Sequence, residues 1–387
     1  MRIGIDVRYL SHGLVGGVHT YIAHFVPALL EAARDHDVFL YADTKRPFEI
    51  TRLPEHAQVR YLPYRAPFSS VANDLFMRRA IARDRVDVMH FPANYGFAPS
   101  SARSIITLHD AINVLPLREI WRGHPKAPRT VAMMTYLHVC STLALKRADL
   151  VLTVSEHARH EIARVSGFSS EHIVAVPHAP TPDLRRVEDE DTLAALRTRF
   201  GISHPFVLAD GLKNPAVLVR AWRRLPEVVR AQYRIVFFAR RPDVLPEVHA
   251  AVAAGHATLL VRPERSELIG LYSMADAFVF PSWIEGFGIP LLEAMTCGAP
   301  VIASDRGAIP EVLGDAGLLA GAEDDASFAR HLLAVLGDRN VAEGLRACGY
   351  ARAAQFSWQH TAARILASYL TCFTRPRDGA TLLATGR

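Results

Sequence analysis

Short, continuous runs of aliphatic and aromatic residues recur along the chain, and longer helical or loop stretches separate them. Runs without a helical period are typical of strands that are buried on both faces of a parallel sheet. The predicted strands cover residues 2–7, 38–41, 59–62, 86–91, 104–108, 150–154, 173–177, 205–209, 235–239, 258–261, 277–281 and 300–303. Because strands and helical stretches alternate, we predict an α/β protein with doubly wound parallel sheets.

The length of the chain predicts two domains. It has 387 residues, more than the roughly 250–300 at which a single hydrophobic core stops growing. A proline-flanked loop followed by the acidic run 188–191 marks the boundary. We therefore place one domain at 1–190, a second at 191–356, a C-terminal helix at 357–373 and a tail at 374–387.

Basic residues exceed acidic ones and give a formal net charge of +5, which suits an anionic substrate, a membrane surface or nucleic acid. We find no nucleic-acid-binding motif and expect no such partner. The excess is concentrated in residues 118–147, where basic residues are interleaved with Trp121, Met133 and Tyr136. Two interpretations stay open: a peripheral membrane patch that serves a lipid-linked acceptor, or a core helix with solvated basic ends. We prefer the core helix.

The composition, 50% apolar and 21% charged residues, is that of a globular protein. No signal segment is evident, and no apolar run approaches the roughly 18–20 residues that span a bilayer. We therefore expect a cytoplasmic protein, with peripheral contact at the inner face of the membrane as an option. The scattered cysteines indicate neither zinc nor disulfides. Asp189 and Asp191 have a metal-ligand spacing, but acidic residues at a helix start complement the helix dipole, so we expect no metal and no cofactor.

The stretch 277–304 predicts a strand, a tight turn, a short helix and a second strand. Pro290 suits the first helical position and Gly298 the position after the last turn. The turn residues 285–288 lie at the carboxyl end of the first strand, where open α/β sheets bind ligands. Free amides at the helix start would attract a diphosphate. Glu285 and Glu293 would then accept hydrogen bonds from hydroxyls on either side of it, which describes a nucleotide-sugar site.

These residues carry a family resemblance. The segment PSWIEGFGIPLLEAMTCGAPVIASDRGAIPEV, with Glu285 and Glu293 in register, resembles the signature of family 4 of the retaining glycosyltransferases. The resemblance implies the GT-B fold, in which two Rossmann-like domains face a cleft, the C-terminal domain holds the nucleotide and the last helix crosses back onto the N-terminal domain. The pattern is similar to that of bacterial mannosyltransferases of polysaccharide and O-antigen assembly.

The resemblance also implies roles for individual residues. Glu285 would hold the sugar hydroxyls and Glu293 the ribose, while Lys213 would neutralise the diphosphate. Leu212 replaces an arginine that relatives carry, and Arg240, Arg241 or Arg306 could substitute for it. The predicted donor-binding residues are Gly286, Phe287, Gly288, Ile289, Glu293 and Asn214, together with Arg240 and Arg241, which are proposed from their positions at the end of a predicted strand.

In the N-terminal half, the motif TLHD ends a predicted strand. The resemblance implies that His109 contacts the donor sugar near its C6 hydroxyl and that Asp110 orients His109. Gly16, Gly17 and Tyr21 are assigned to an acceptor loop. His178 is interpreted as a structural loop residue.

We therefore predict a retaining, metal-independent glycosyltransferase. It would move a hexose from a nucleoside diphosphate sugar to a glycan or a lipid-linked saccharide in bacterial polysaccharide biosynthesis. GDP-mannose is the favoured donor, and UDP-hexoses and dTDP-rhamnose stay open. The alternatives are a nucleotide-sugar epimerase of GT-B architecture and a non-enzymatic sugar-binding protein.

Overall fold

The computed structural model describes residues 1–11, 17–45, 53–63, 69–122 and 127–376. The chain divides into two compact units. The first unit comprises Met1–His178 with Trp358–Arg387, and the second comprises Ala179–Ser357. Residues 179–190, which the sequence interpretation placed in the first domain, cluster with the second unit.

The first unit contains a parallel sheet with the strand order β3-β2-β1-β4-β5-β6-β7. Its strands are β1 (Arg2–Asp6), β2 (Asp37–Asp43), β3 (Ala57–Leu62), β4 (Val88–Phe91), β5 (Arg103–Thr107), β6 (Leu150–Thr153) and β7 (Ile173–Ala175). Strands β4 and β6 are buried along their whole length. That burial explains why their sequences are continuous apolar runs rather than alternating ones.

The second unit contains another parallel sheet, with the order β10-β9-β8-β11-β12-β13. Its strands are β8 (Phe206–Asp210), β9 (Arg234–Ala239), β10 (Ala257–Val261), β11 (Ala277–Phe280), β12 (Val301–Ser304) and β13 (Gly317–Ala320). The predicted α/β class with two doubly wound parallel sheets is thus confirmed. Strand β13 was not predicted.

Helices connect the strands in both units. In chain order they are α1 (Arg8–Ser11), α2 (Gly17–Ala32), α3 (Ser69–Arg83), α4 (Leu117–Arg122), α5 (Pro128–Leu145), α6 (Glu156–Ser166), α7 (Glu190–Phe200), α8 (Pro215–Arg224), α9 (Glu227–Gln232), α10 (Pro246–Ala253), α11 (Arg265–Met274), α12 (Ile289–Thr296), α13 (Ile309–Leu313), α14 (Asp325–Gly337), α15 (Arg339–Ala353) and α16 (Trp358–Thr374). No helix in these described ranges is both long enough and apolar enough to cross a bilayer.

Helix α16 belongs to the first unit although it ends the described chain. It packs along α2 and against β4 and β5. The hydroxyl of Tyr369 on α16 lies 2.6 Å from Nδ1 of His90 on β4, and Nε2 of His90 lies 2.7 Å from Oγ1 of Thr107 on β5. These buried polar contacts fix the last helix to the sheet of the first unit.

The strand order of the second sheet defines where its ligand site should lie. Strands β9 and β10 extend from β8 in one direction, and β11, β12 and β13 extend in the other. The order therefore reverses between the neighbouring strands β8 and β11. In open α/β sheets, ligands bind beyond the carboxyl ends of the strands at such a switch point.

Candidate active site

Helix α12 follows β11 through the loop 281–288. Gly288 precedes the helix with φ 103°, a backbone conformation that strains residues with a side chain. The helix begins at Ile289, so Pro290 occupies the second position, where its missing N–H removes no helical hydrogen bond. Gly298, with φ 78°, follows the helix at its other end. The predicted short helix is present and begins one residue earlier than expected.

Glu285 and Lys213 meet at the switch point. Lys213 lies in the loop after β8 and Glu285 in the loop after β11, and Nζ of Lys213 is 2.8 Å from Oε1 of Glu285. The hydroxyl of Ser282 donates to the same oxygen at 2.9 Å. The Glu285 side chain is only 14% exposed, so these contacts restrict its carboxylate. The sequence predicted both residues but not their direct contact.

The end of β12 and the loop after it support the loop that carries Glu285. The amide of Ala308 donates to the Glu285 carbonyl at 3.0 Å, and the hydroxyl of Ser304 donates to the Ser282 carbonyl at 2.6 Å. Gly307 has φ 60°, and a Cβ at this position would lie 2.5 Å from the backbone carbonyl oxygen of Glu285. Gly307 therefore permits an approach that no other residue allows. Sequence reasoning missed this role because nothing local in the sequence indicates the contact.

Glu293 is buried on α12 and is paired with Arg265. Nη1 of Arg265, the first residue of α11, lies 2.7 Å from Oε1 of Glu293. Burial raises the pKa of the Glu293 carboxyl, and the Arg265 charge opposes that rise. Nη2 of Arg265 also donates to the Thr181 hydroxyl at 3.0 Å. The sequence predicted Glu293 as a ligand residue but not its arginine partner.

Asn214 connects three loops of the second unit. It precedes α8 with φ 51°, and its Nδ2 donates to the carbonyl of Pro281 at 2.9 Å and to that of Ala322 at 2.8 Å. Both amide hydrogens are therefore used to tie the loop after β8 to the loops after β11 and β13. A donor substrate could therefore contact this side chain only through Oδ1, and the assignment of Asn214 as a donor-binding residue stays a prediction.

The other predicted donor-binding residues divide into two groups. The Phe287 ring is buried, 6.0 Å from the Phe356 ring, so the backbone of this residue is the part that can face a ligand. Gly286 and Ile289 are half-buried on the same loop and at the helix start. They remain where the sequence placed them, beside Glu285.

The three candidate replacement arginines differ in their surroundings. Arg241 and Arg306 are exposed, and each lies 3.3 Å from a neighbouring exposed aspartate. Arg240 is exposed at the end of β9, within electrostatic reach of Asp210 at the end of β8. Burial raises the pKa of Asp210, while the charges of Arg240 and Lys213 lower it. Arg240 thus shares a charged environment with Lys213.

In the first unit, His109 follows β5 and is held by backbone and side-chain contacts. Its Nε2 lies 2.9 Å from the Pro92 carbonyl, and its amide donates to Oδ1 of Asn94 at 3.2 Å. A carbonyl cannot donate, so Nε2 carries the proton and Nδ1 is the acceptor. Burial lowers the pKa of His109 to about 4, so the ring is neutral near pH 7. The Asp110 carboxylate accepts from the Ile112 amide at 2.8 Å and caps the following turn.

Tyr21 is part of the first-unit core. It lies on α2 and is 1% exposed, with its ring 5.1 Å from that of His109 and 4.8 Å from that of His178. This corrects its assignment to an acceptor loop, because the ring is enclosed by aromatic neighbours. His178 is likewise buried, against Trp358, and burial lowers its pKa well below the usual value. Gly17 is the exposed first residue of α2, and Gly16 lies outside the described residues.

Asp189, one half of the D-x-D pair, acts as a helix cap. Its Oδ2 accepts from the Thr192 amide at 3.0 Å at the start of α7. Within the part of the chain that the structure describes, no group of three or more His, Cys, Asp or Glu side chains is placed to hold a metal ion. The aspartate spacing is therefore explained by capping.

Comparison with known proteins assigns both units to glycosyltransferases. A family model described as "Glycosyltransferase Family 4" matches residues 15–184, and one described as "Glycosyl transferases group 1" matches residues 207–338. The chain is 33% identical over 295 residues to an O-antigen chain mannosyltransferase B of Escherichia coli, covering 74% of this chain and 75% of the relative. It is also 33% identical over 240 residues to a D-inositol 3-phosphate glycosyltransferase of Nocardia farcinica, covering 57% and 52% respectively.

Solved structures show the same architecture. A sucrose-phosphate synthase from Thermosynechococcus elongatus superposes with a TM-score of 0.68 at 21% identity, covering 96% of this chain and 99% of that chain. A glycosyltransferase involved in lipopolysaccharide biosynthesis superposes with a TM-score of 0.65 at 14% identity, covering 95% and 99%. These likenesses show the fold. The two parallel-sheet units thus define a glycosyltransferase with the GT-B fold.

The sequence matches narrow this class further. The first unit matches one family model, the second matches the other, and a relative with 33% identity is covered over three quarters of its length. The chain belongs to glycosyltransferase family 4.

Proposed function

We propose that the protein is a retaining, metal-independent hexosyltransferase. It would use GDP-mannose as the favoured donor and a hydroxyl of a glycan or lipid-linked saccharide as the acceptor, in bacterial polysaccharide biosynthesis. The observation that carries the proposal is the contact of Lys213 with Glu285 at the switch point between β8 and β11, beside the start of α12. Mannose is favoured because a relative is named an O-antigen chain mannosyltransferase.

The proposed catalysis is electrostatic. As the bond to the anomeric carbon breaks, negative charge develops on the departing diphosphate. The free amides at the start of α12 and the Lys213 ammonium would stabilise that charge, and removing one such preorganised donor typically costs about 3–4 kcal/mol. Because Lys213 is paired with Glu285, the approaching diphosphate would not meet an uncompensated carboxylate. Arg240 would supply the second cation, since it shares the charged environment of Lys213 and Asp210.

The carboxylates would orient the donor. Glu285, restricted by Lys213 and Ser282, would accept hydrogen bonds from sugar hydroxyls. Glu293 would accept from the ribose, since a carboxylate oxygen bound to Arg265 leaves further acceptor sites on the group. The neutral His109 ring, with Nε2 bound to Pro92, would offer Nδ1 as an acceptor to a sugar hydroxyl.

A thermal-shift comparison of GDP, UDP and dTDP tests the donor assignment. A nucleotide at 100 times its dissociation constant stabilises the folded state by about 2.7 kcal/mol. We expect the melting temperature to rise with GDP and to rise less with UDP or dTDP. A larger rise with UDP or dTDP would replace GDP in the proposal.

Transfer assays test the remaining parts. Retention predicts that the product linkage keeps the donor's anomeric configuration, which proton NMR of the product reports. Metal independence predicts an unchanged rate in excess chelator. Incubation with donor alone tests the epimerase alternative, because an epimerase would convert the donor without an acceptor. Inversion, chelator-sensitive turnover or acceptor-free epimerisation would each overturn the corresponding statement.

A further inference from the structure

An apolar stripe on α5 is exposed, although the sequence interpretation preferred a core helix. Met133, Val139 and Leu143 are 52%, 44% and 46% exposed, and Trp121 on the neighbouring α4 is 40% exposed. We call these four residues the α5 face. Val139 and Leu143 are four residues apart and lie on the same side of the helix, and Met133 lies at the edge of that side. Ser141 and Leu145, on the other side, are buried.

Exposed cations flank both ends of the α5 face. They are Arg118, Arg129, Lys146 and Arg147. Residues 120–148 contain no aspartate or glutamate. The nearest acidic residue before them, Glu119, interacts electrostatically with Arg164. Helix α5 has 18 residues and is therefore about 27 Å long. Arg129 near its start and Lys146 and Arg147 just beyond its end are thus separated by about the length of the helix.

Trp121 is held in an orientation that joins it to this surface. Its indole Nε1 donates to the Thr135 hydroxyl at 3.3 Å, and the same hydroxyl donates to the Val131 carbonyl at 2.7 Å. The indole is thereby tied to α5 while part of its surface stays exposed. Tryptophan is enriched at membrane interfaces because it combines an apolar ring with a polar N–H group.

We propose that the α5 face docks onto an anionic lipid bilayer. Its apolar side chains would enter the boundary between headgroups and acyl chains, and the flanking cations would contact anionic headgroups. Cations lie at both ends of the stripe, and the sequence between them contains no acidic residue. This charge distribution is complementary to the surface of an anionic bilayer, which is negative throughout.

The same charge distribution disfavours a second copy of this chain as the occupant. In a two-fold symmetric contact, the stripe would face an identical stripe. Because both ends of α5 are cationic, either a parallel or an antiparallel arrangement would bring cations against cations. Like charges in such a contact are unfavourable, whereas a bilayer of anionic lipids neutralises them.

This inference goes beyond the proposed transfer reaction and concerns where the reaction occurs. It rests on that proposal only in that a lipid-linked acceptor would explain why the enzyme meets a membrane. Vesicle binding can be measured without donor or acceptor, so the two proposals can fail separately.

Tryptophan fluorescence with vesicles gives a direct test. Of the four tryptophans, Trp222 and Trp358 are buried, while Trp121 and Trp283 are 40% and 46% exposed. In a Trp283→Phe background, a vesicle-dependent change therefore reports on Trp121. We expect a blue shift with vesicles of 70% phosphatidylcholine and 30% phosphatidylglycerol, and none with pure phosphatidylcholine. Equal shifts with both vesicles, or no shift with either, would overturn the proposal.

Paired variants show which surface is responsible. Val139→Asp with Leu143→Asp should abolish cosedimentation with the anionic vesicles. The matched control is Val228→Asp with Leu333→Asp, which introduces the same charges at residues that are 71% and 37% exposed in the second unit. This control should bind as the unsubstituted protein does. Equal loss in both pairs would show that added negative charge, and not the α5 face, weakens binding, and would overturn the assignment.

Charge variants and light scattering complete the test. Lys146→Gln and Arg147→Gln should each weaken vesicle binding by roughly fivefold, with less effect at high salt. Retention of the GDP thermal shift in these variants would show that the second unit is intact.

Light scattering gives the oligomeric state. If the unsubstituted protein is a dimer that the Val139→Asp and Leu143→Asp pair converts to monomers, and neither protein binds vesicles, the occupant of the α5 face is a second copy and the proposal is wrong.

Discussion

Replacing Gly307 by alanine should displace Glu285 without adding or removing any polar group. A Cβ at position 307 would lie 2.5 Å from the backbone carbonyl oxygen of Glu285 and 2.9 Å from its backbone nitrogen, whereas ordinary contacts begin at 3.4 Å. The difference requires a movement of about 0.9 Å at the backbone of Glu285. A misplacement of about 1 Å can lower a rate about 100-fold. If Glu285 orients the donor sugar as proposed, turnover should fall by about that factor.

The change at Gly307 also has a cost that is unrelated to the site. At φ 60°, alanine is strained by about 1–2 kcal/mol. Gly201 provides the matched control, because it has φ 63° and no atom within 4 Å of its potential Cβ. Gly201→Ala should therefore lose a similar free energy of unfolding but keep its turnover.

Initial transfer rates at saturating donor, together with urea unfolding, separate the two effects. We expect both alanine variants to be destabilised and only Gly307→Ala to lose turnover. Melting temperatures measured with and without GDP show whether the nucleotide still binds. If the two variants have equal turnover, the packing of Gly307 does not position Glu285, and the reasoning is refuted.

Three further results are expected. Transfer rates of Lys213→Met, Glu285→Gln and the double variant form a double-mutant cycle. Because Nζ of Lys213 and Oε1 of Glu285 are 2.8 Å apart, the two changes in activation free energy should not add up to that of the double variant. Additive changes would contradict joint action of the two residues. Asn214→Ala should lower the free energy of unfolding in urea by about 2 kcal/mol, since two hydrogen bonds are lost, and unchanged stability would contradict this. Burial lowers the pKa of His90 to about 3 and that of His109 to about 4, so these imidazoles are protonated first in the unfolded chain. Stability should therefore fall as the pH drops from about 6.5 towards 4, by about 1.4 kcal/mol per pH unit for each imidazole, and a flat profile in urea titrations would contradict this.

The strands could be predicted because a buried parallel strand must be apolar along its length. Of the thirteen strands in the described part of the chain, twelve coincide with predicted runs. The missed strand, β13, lies at the edge of its sheet, and three of its four residues are only half-buried. Its sequence, GLLA, lacks the β-branched and aromatic residues that marked the other strands. A short, partly exposed strand leaves too weak a pattern to be recognised.

The sequence predicted candidate site residues but not the contacts between them. Glu285 and Lys213 stand at strand ends, and that position identified each of them separately. Their contact depends on β8 and β11 being neighbours, which follows from the strand order and not from local sequence. Tyr21 was assigned to a loop because its local sequence does not show which distant residues enclose it. Its burial arises from packing against α16, which the chain reaches only after the whole second unit.

In the second unit, several contacts that sequence reasoning missed fix one loop to another. Asn214 joins the loop after β8 to those after β11 and β13. Ser304 at the end of β12 and Gly307 in the loop after it contact the loop that carries Glu285. Glu285 is therefore held by side-chain contacts at its carboxylate and by packing at its backbone. Electrostatic stabilisation is effective when charged groups do not reorganise during the reaction. Residues that never touch the substrate should thus affect turnover through the position of Glu285, and the Gly307→Ala variant isolates that effect.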